Sequence, residues 1–168
     1  MSSSAALVGQ DGSRAGIGAA RAAFLVGVLY ALVSAYWGAG GTGLLHTIGG
    51  ALERAGRAHT PSLLAVLWIT VALKLTAGAA GLLATGAVAG SRWRRRSRVV
   101  AWIAAVVLVV YGGVLTAIGL LVQAGAVSAS APADQTALRW HAYLWDPWFL
   151  LWGALLTAAL WRSRSHRR

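Results

Sequence analysis

The feature that most constrains this sequence is a run of 24 residues, 99–122, without one charged side chain. A helix of that length reaches about 36 Å at 1.5 Å per residue, more than the roughly 30 Å hydrocarbon core of a bilayer. Three more apolar runs accompany it, at residues 22–41, 62–90 and 144–161. Inside lipid a backbone must satisfy its own N–H and C=O groups, so each run is expected as an α-helix. The expected fold class is all-α: a polytopic membrane protein, a four-helix transmembrane bundle over residues 21–161. A Ser/Ala/Gly-rich lead, residues 1–20, is expected to be flexible or loosely helical, and residues 162–168 form a basic tail.

Composition supports this class. Of the 168 residues 58% are hydrophobic and 11% charged. Soluble domains carry about 25% charged residues, and disordered chains are poorer in apolar ones. There is no cysteine, which excludes disulfides, thiolate metal sites and dithiol redox chemistry. The formal net charge of +11 would suggest nucleic acid in a soluble protein. Here the basic residues sit between and after the apolar runs, so they speak to topology, and no nucleic-acid partner is expected. Fourteen of the 15 basic residues are Arg, a skew that fits a GC-rich bacterial genome.

Eleven arginines, at positions 14, 21, 92, 94–96, 98, 162, 164, 167 and 168, fall on one face of a four-span arrangement, and Arg54, Arg57 and Arg139 on the other. Lys/Arg bias of the loops sets orientation. Both termini are therefore expected in the cytoplasm of a multi-pass protein of a bacterial plasma membrane. A cleaved signal peptide over the first run is the rival reading; the run continues through Tyr36 and Trp37 without a polar boundary, which favours a retained span. The arginine-rich segment 91–98 reads first as a positive-inside anchor and second as an anionic-lipid patch.

The polar connection 42–61 is expected to hold a short surface helix carrying Glu53, Arg54 and Arg57, with Pro61 opening the next helix. Of nine Trp, Trp93, Trp102 and Trp161 are expected near the cytoplasmic interface and Trp140, Trp145 and Trp148 near the outer one, as an aromatic belt. Trp37, Trp68 and Trp152 are placed toward the bundle. Gly78, Gly81, Gly86 and Gly90 mark the second run and Gly112, Gly113 and Gly119 the third. Small residues let helices approach closely in lipid, and packing within the chain is favoured over a dimer face.

Two ionisable residues fall within the apolar runs: Lys74 and Asp146. Each costs about 2.5–3.5 kcal/mol at a helix centre on insertion scales, so such residues face the interior or water. Measured from Arg92 and Arg162, both lie at about 24–27 Å from the basic boundary, a depth shared by Tyr36, Trp37, Tyr111 and Thr116. The expectation is one polar layer in the outer half of the membrane, with Lys74 and Asp146 paired across the interior. Against it stands a plainer reading: Asp146 caps the fourth helix, whose first residue is Pro147, and Lys74 snorkels outward. His46 and His59 have no compact metal spacing, and no metal or cofactor is expected. His141 with Asp146 and Glu53 is the weaker candidate for an outer metal or proton site.

Two segments, YWGAGGTGLL at 36–45 and LWDPWFLLWG at 144–153, carry a resemblance. They resemble a family of small actinobacterial integral membrane proteins catalogued only as a domain of unknown function. Tyr36, Trp37, Gly40, Gly41, Asp146 and Pro147 match its pattern; a polar residue, often His, precedes its Tyr-Trp pair, where this chain has Ser34. The resemblance implies about four membrane helices and no known activity.

The expected function is binding of a lipid or lipophilic small molecule in the polar layer, through Tyr36, Trp37, Lys74, Tyr111, Asp146 and Trp148. The runner-up is a membrane-embedded isomerase or cyclase on an isoprenoid-like substrate, with Asp146 as general acid and the ring faces of Trp37, Trp148 and Trp152 around a cationic intermediate. A third class is a subunit of an oligomeric transporter or channel, which would require a homo-oligomer; the sequence has no internal repeat and no pair of broken helices.

Overall fold

The computed structural model describes residues 2–88, 92–127 and 134–163, with side chains from Arg14 onward. Six α-helices order the described residues: α1 (Ser2–Gly38), α2 (Gly50–Arg57), α3 (Pro61–Thr85), α4 (Arg94–Gln123), α5 (Gln135–Trp140) and α6 (Asp146–Arg162). A 3-10 turn, Leu45–Thr47, precedes α2, and a π-helical segment, His141–Trp145, joins α5 to α6. No strand occurs among the described residues.

Among the described residues three helices are long and apolar enough to cross a membrane: Arg14–Gly38 within α1, Pro61–Thr85 and Arg94–Gln123. The fourth apolar run forms α6, of 17 residues. Helix α1 extends back to Ser2, so the expected first run is its C-terminal half. Helix α2 takes up the expected surface helix, and Pro61 is the first residue of α3.

Around the long helices, α1 packs against α3 and α6, and α4 packs against α6 and α3. Small residues set these approaches. A Cβ on Gly112 would lie 2.4 Å from the backbone N of Leu150, and one on Gly153 would lie 2.8 Å from the backbone N of Val109. Helices α4 and α6 therefore meet backbone to backbone. Gly78 faces Phe24 of α1, and Gly81 faces Leu156 of α6. The interior cluster is dominated by Ala23, Ala84, Ala101, Ala105, Trp152, Leu156 and Leu160. Large apolar side chains instead cover the outside, among them Ile69, Leu73, Ile103, Val107 and Val110. Alanines of α1, α3 and α4 facing in toward the large side chains of α6, with large apolar side chains outside, suit helices solvated by hydrocarbon.

Two helix ends depart from expectation. Helix α3 stops at Thr85, where Gly86 takes the left-handed conformation (φ 78°) that Gly adopts without a Cβ penalty. Gly86 is thus a cap rather than half of a packing motif, and Gly90 lies outside the described residues, as do 164–168. The helix holding Asp146 does not begin there. Asp134 caps α5, its carboxylate accepting from the N–H groups of Thr136 and Ala137, and the chain stays helical to Arg162. The reading of Asp146 as N-cap is therefore corrected.

Candidate functional site

The end of the molecule formed by the α1–α3 connection and the start of α6 is built from aromatic N–H donors. The indole Nε1 of Trp37 donates to the Gly43 carbonyl (2.7 Å), and that of Trp68 to the Gly38 carbonyl (3.1 Å). The His59 Nε2 lies 3.0 Å from the Gly40 carbonyl. Trp145 Nε1 donates to Thr47 Oγ1 (3.1 Å), and Thr47 Oγ1 donates to the Leu44 carbonyl (2.5 Å). Carbonyls past a helix end need partners, and here the loop's own neighbours supply them. The tight glycines follow from the same packing: a Cβ on Gly41 would sit 2.4 Å from the Tyr36 ring.

Beneath this cover lies a cavity of about 190 Å³. Trp37, Leu45, Ile48 and Leu52 form its cover side, Leu63 and Leu67 come from α3, and Tyr111 from α4. Tyr30, Trp145 and Phe149 add aromatic walls, and His141 and Asp146 supply the ionisable ones. Tyr30 organises the walls. Its ring stacks on Trp145 (centroids 5.7 Å apart), tilts against Phe149 (4.7 Å) and Trp148 (5.6 Å), and carries Lys74 Nζ 3.8 Å from its centroid.

His141 and Asp146 meet because of the π segment. Pro147 has no N–H and its ring crowds the carbonyl four residues back, which breaks the regular ladder. The Asp146 N–H instead reaches the His141 carbonyl, five residues back. Side chains at positions 141 and 146 then face each other, with His141 Nδ1 3.3 Å from Asp146 Oδ1. The Asp146 side chain is buried, and His141 is partly exposed. The hydrogen bond His141 donates to Asp146 holds its pKa above the ordinary histidine value, with the Asp146 charge and the Ile48 carbonyl adding to it and burial opposing.

The expected Lys74–Asp146 pair does not form. Lys74 Nζ donates to the buried Ser34 Oγ (2.6 Å) on α1, and the ion-pair partner of Asp146 is His141. The reason is depth. Counting from Arg92 treats residues 86–91 as helix, but α3 ends at Thr85. From the true helix ends, Lys74 lies about 16 Å in and Asp146 about 24 Å in, some 8 Å apart along the axis. The single polar layer is corrected accordingly.

The other sequence candidates divide. Trp37, Tyr111 and Asp146 line the cavity. Tyr36 is half exposed outside it, with its hydroxyl accepting from the Gly43 N–H (3.2 Å). Trp148 donates to the Val26 carbonyl of α1 (3.2 Å) and backs Tyr30. Lys74 lies behind Tyr30 and lines a separate apolar groove between α3 and α4, together with Leu73, Ile103 and Phe149. Glu53 does not join His141: its carboxylate holds Arg57 (2.8 Å). No group of three metal-ligating side chains occurs among the described residues. Sequence reasoning passed over Tyr30 and Phe149, which look like ordinary residues of apolar runs; their one signal is a place on the helix faces that carry Ser34 and Asp146.

These contacts join the two segments singled out in the sequence. Trp37 of the first meets Trp145 of the second edge-on, with centroids 5.7 Å apart. The model of one family spans both, matching residues 27–156. The chain belongs to the DUF3995 family. Its members are described only as proteins of unknown function. No curated protein and no solved structure gives a match. The DUF3995 domain thus covers α1 from Gly27 to the middle of α6, and every residue of the cavity falls within it.

Proposed function

We propose that this DUF3995 protein is a four-span protein of a bacterial plasma membrane, with both termini cytoplasmic, that binds a lipophilic small molecule or lipid tip in the His141–Asp146 cavity. The cavity carries the reading: apolar and aromatic walls around one hydrogen-bonded ionisable pair are the usual build of a small-molecule site. About 190 Å³ suits a group the size of one ring or one isoprene unit, since a cavity of about 150 Å³ can hold benzene. The occupant's apolar end lies against Tyr30, Trp37 and Phe149, and its polar end meets His141.

The fourth span is α6. Its 17 residues continue, through the π segment, the helix that starts at Gln135, and α6 packs along both α1 and α4. Charge supports the orientation. Arg94 touches the end of α3 and Arg98 the end of α6, so Arg92–Arg98 and Arg162 share one end of the molecule, opposite the cavity.

The test is native mass spectrometry of protein released from lipid nanodiscs, comparing wild type with Asp146→Asn and His141→Gln. A discrete bound mass in the wild type, lost in both variants with folding retained, is the expected result. Bulk lipid alone in all three would overturn it.

A second reading, acid–base catalysis on an isoprenoid-like substrate, gains from one observation. Asp146 has a His partner, so the site holds two groups able to pass a proton beside the ring faces of Tyr30, Trp37 and Trp145. Trp148 and Trp152 lie outside this cavity and leave that role. Turnover of the bound species by wild type, abolished by His141→Gln without loss of binding, would select this reading.

A further inference from the structure

The five arginines of segment 92–98 do two different jobs. Arg94, itself exposed, and the partly buried Arg98 reach back to helix ends. The Arg94 guanidinium donates to the carbonyls of Ala84 (3.3 Å) and Thr85 (3.5 Å), at the C-terminus of α3. Arg98 donates to the Leu160 carbonyl (2.8 Å) and the Ser163 hydroxyl (3.2 Å), at the C-terminus of α6. Each thus supplies donors to orphan carbonyls at the negative end of a helix dipole. Arg92, Arg95 and Arg96 remain exposed.

Arg92 and Arg96 flank one ring. Their guanidinium carbons lie 5.8 and 5.1 Å from the Trp93 centroid, and the three residues line a polar cleft of about 390 Å³. Among the described residues little balances this charge. Of its four acidic residues, Glu53, Asp134 and Asp146 belong to the opposite end, with the cavity and its cover. The fourth, Asp11, precedes the residues whose side chains are described.

We infer that the Arg92–Trp93–Arg96 cleft binds the phosphate of an anionic phospholipid headgroup. Arginine matches phosphate geometry with paired N–H donors, and an anionic headgroup lacks the ammonium with which a zwitterionic one offsets its own phosphate and repels the arginines. The cleft also has the right depth. It sits one turn before Val99, where the uncharged run of α4 begins, and indoles prefer that interfacial level. The acyl chains then run along α4. This site is independent of the cavity reading, since the two lie at opposite ends of the molecule.

The experiment places wild type, R92Q/R96Q and R95Q/R162Q in nanodiscs of equal phosphatidylcholine and phosphatidylglycerol, and counts lipids retained on release in the mass spectrometer. Both double variants lose the same charge, and a thermal melt checks folding of each. Wild type and R95Q/R162Q are expected to retain phosphatidylglycerol selectively. R92Q/R96Q should lose that retention about tenfold or more, as for one charge-assisted hydrogen bond. Trp93→Leu, which keeps both arginines, should weaken it less. Equal loss in the two double variants would reduce the site to general attraction and overturn the inference. So would displacement of the lipid by millimolar inorganic phosphate, which would mark a free-anion site.

Discussion

Lys74 shows how one half-buried ammonium is managed. Its ammonium gives one hydrogen bond to Ser34 and rests over the Tyr30 ring, so α1 supplies both partners. Leaving a buried charged donor unpartnered costs more than removing it, about 1–3 kcal/mol in the first case. Ser34→Ala should therefore lower the unfolding free energy in detergent by about 1–3 kcal/mol. Adding Lys74→Met to it should recover part of that loss. Asp146→Asn should show no such coupling to Lys74→Met; coupling there, and none at Ser34, would restore the pairing expected from sequence. His141 gives the pH counterpart. Its pKa is raised in the folded protein, so folding favours the protonated ring. The stabilisation is complete below the ordinary value of about 6.5 and disappears as pH rises through the folded value. The melting temperature should fall on going from pH 6 toward pH 9, and the trend should flatten in His141→Gln and in Asp146→Asn.

Among the elements, α4 and α6 make the sharpest demand on sequence. A methyl on Gly112 meets Leu150 backbone, whereas one on Gly113 has only the Leu150 Cδ1 at 3.8 Å. Gly112→Ala should destabilise by about 1–3 kcal/mol and cut folded yield, while Gly113→Ala should be close to neutral. Thermal melts of the two neighbours in one detergent decide it. The existence and order of the long helices were legible in the sequence because each apolar run is long and each break is charged or Gly-rich, whereas α5 falls in a stretch, 123–142, that reads as loop. The ends were not. Gly86 stops α3 through a backbone conformation, and no hydropathy pattern records that. The site was half legible. Asp146 and Trp37 draw attention as a charge and an aromatic in apolar surroundings, but Tyr30 becomes a hub only through contacts with residues more than 110 positions away. The sequence offered His141 and Asp146 only as the weaker candidate, together with Glu53, for another reason: a spacing of five faces across a π turn, and helical patterns are read at three and four.

For the whole molecule, the ends carry different tasks. One end gathers arginines and helix termini; the other holds the covered cavity. A chain without cysteine makes this arrangement easy to check. Single cysteines introduced at the exposed Arg162 and Ala126, in inverted and right-side-out membrane vesicles, should react with an impermeant thiol reagent from opposite sides. Labelling of both from the same side would mean that α6 or its neighbour does not span.

The Arg98 contacts also set a timetable for synthesis. The Leu160 carbonyl that Arg98 holds lies 62 residues further along the chain. At about 5–20 residues per second, α4 waits roughly 3–12 s for that partner to leave the ribosome. On the four-span reading, α1, α3 and α4 would then stand as three helices with the α6 seat empty, its backbone-lined groove at Gly112 open to lipid or to another membrane protein. A nascent chain halted before residue 150 should therefore be the form most readily captured by insertion factors.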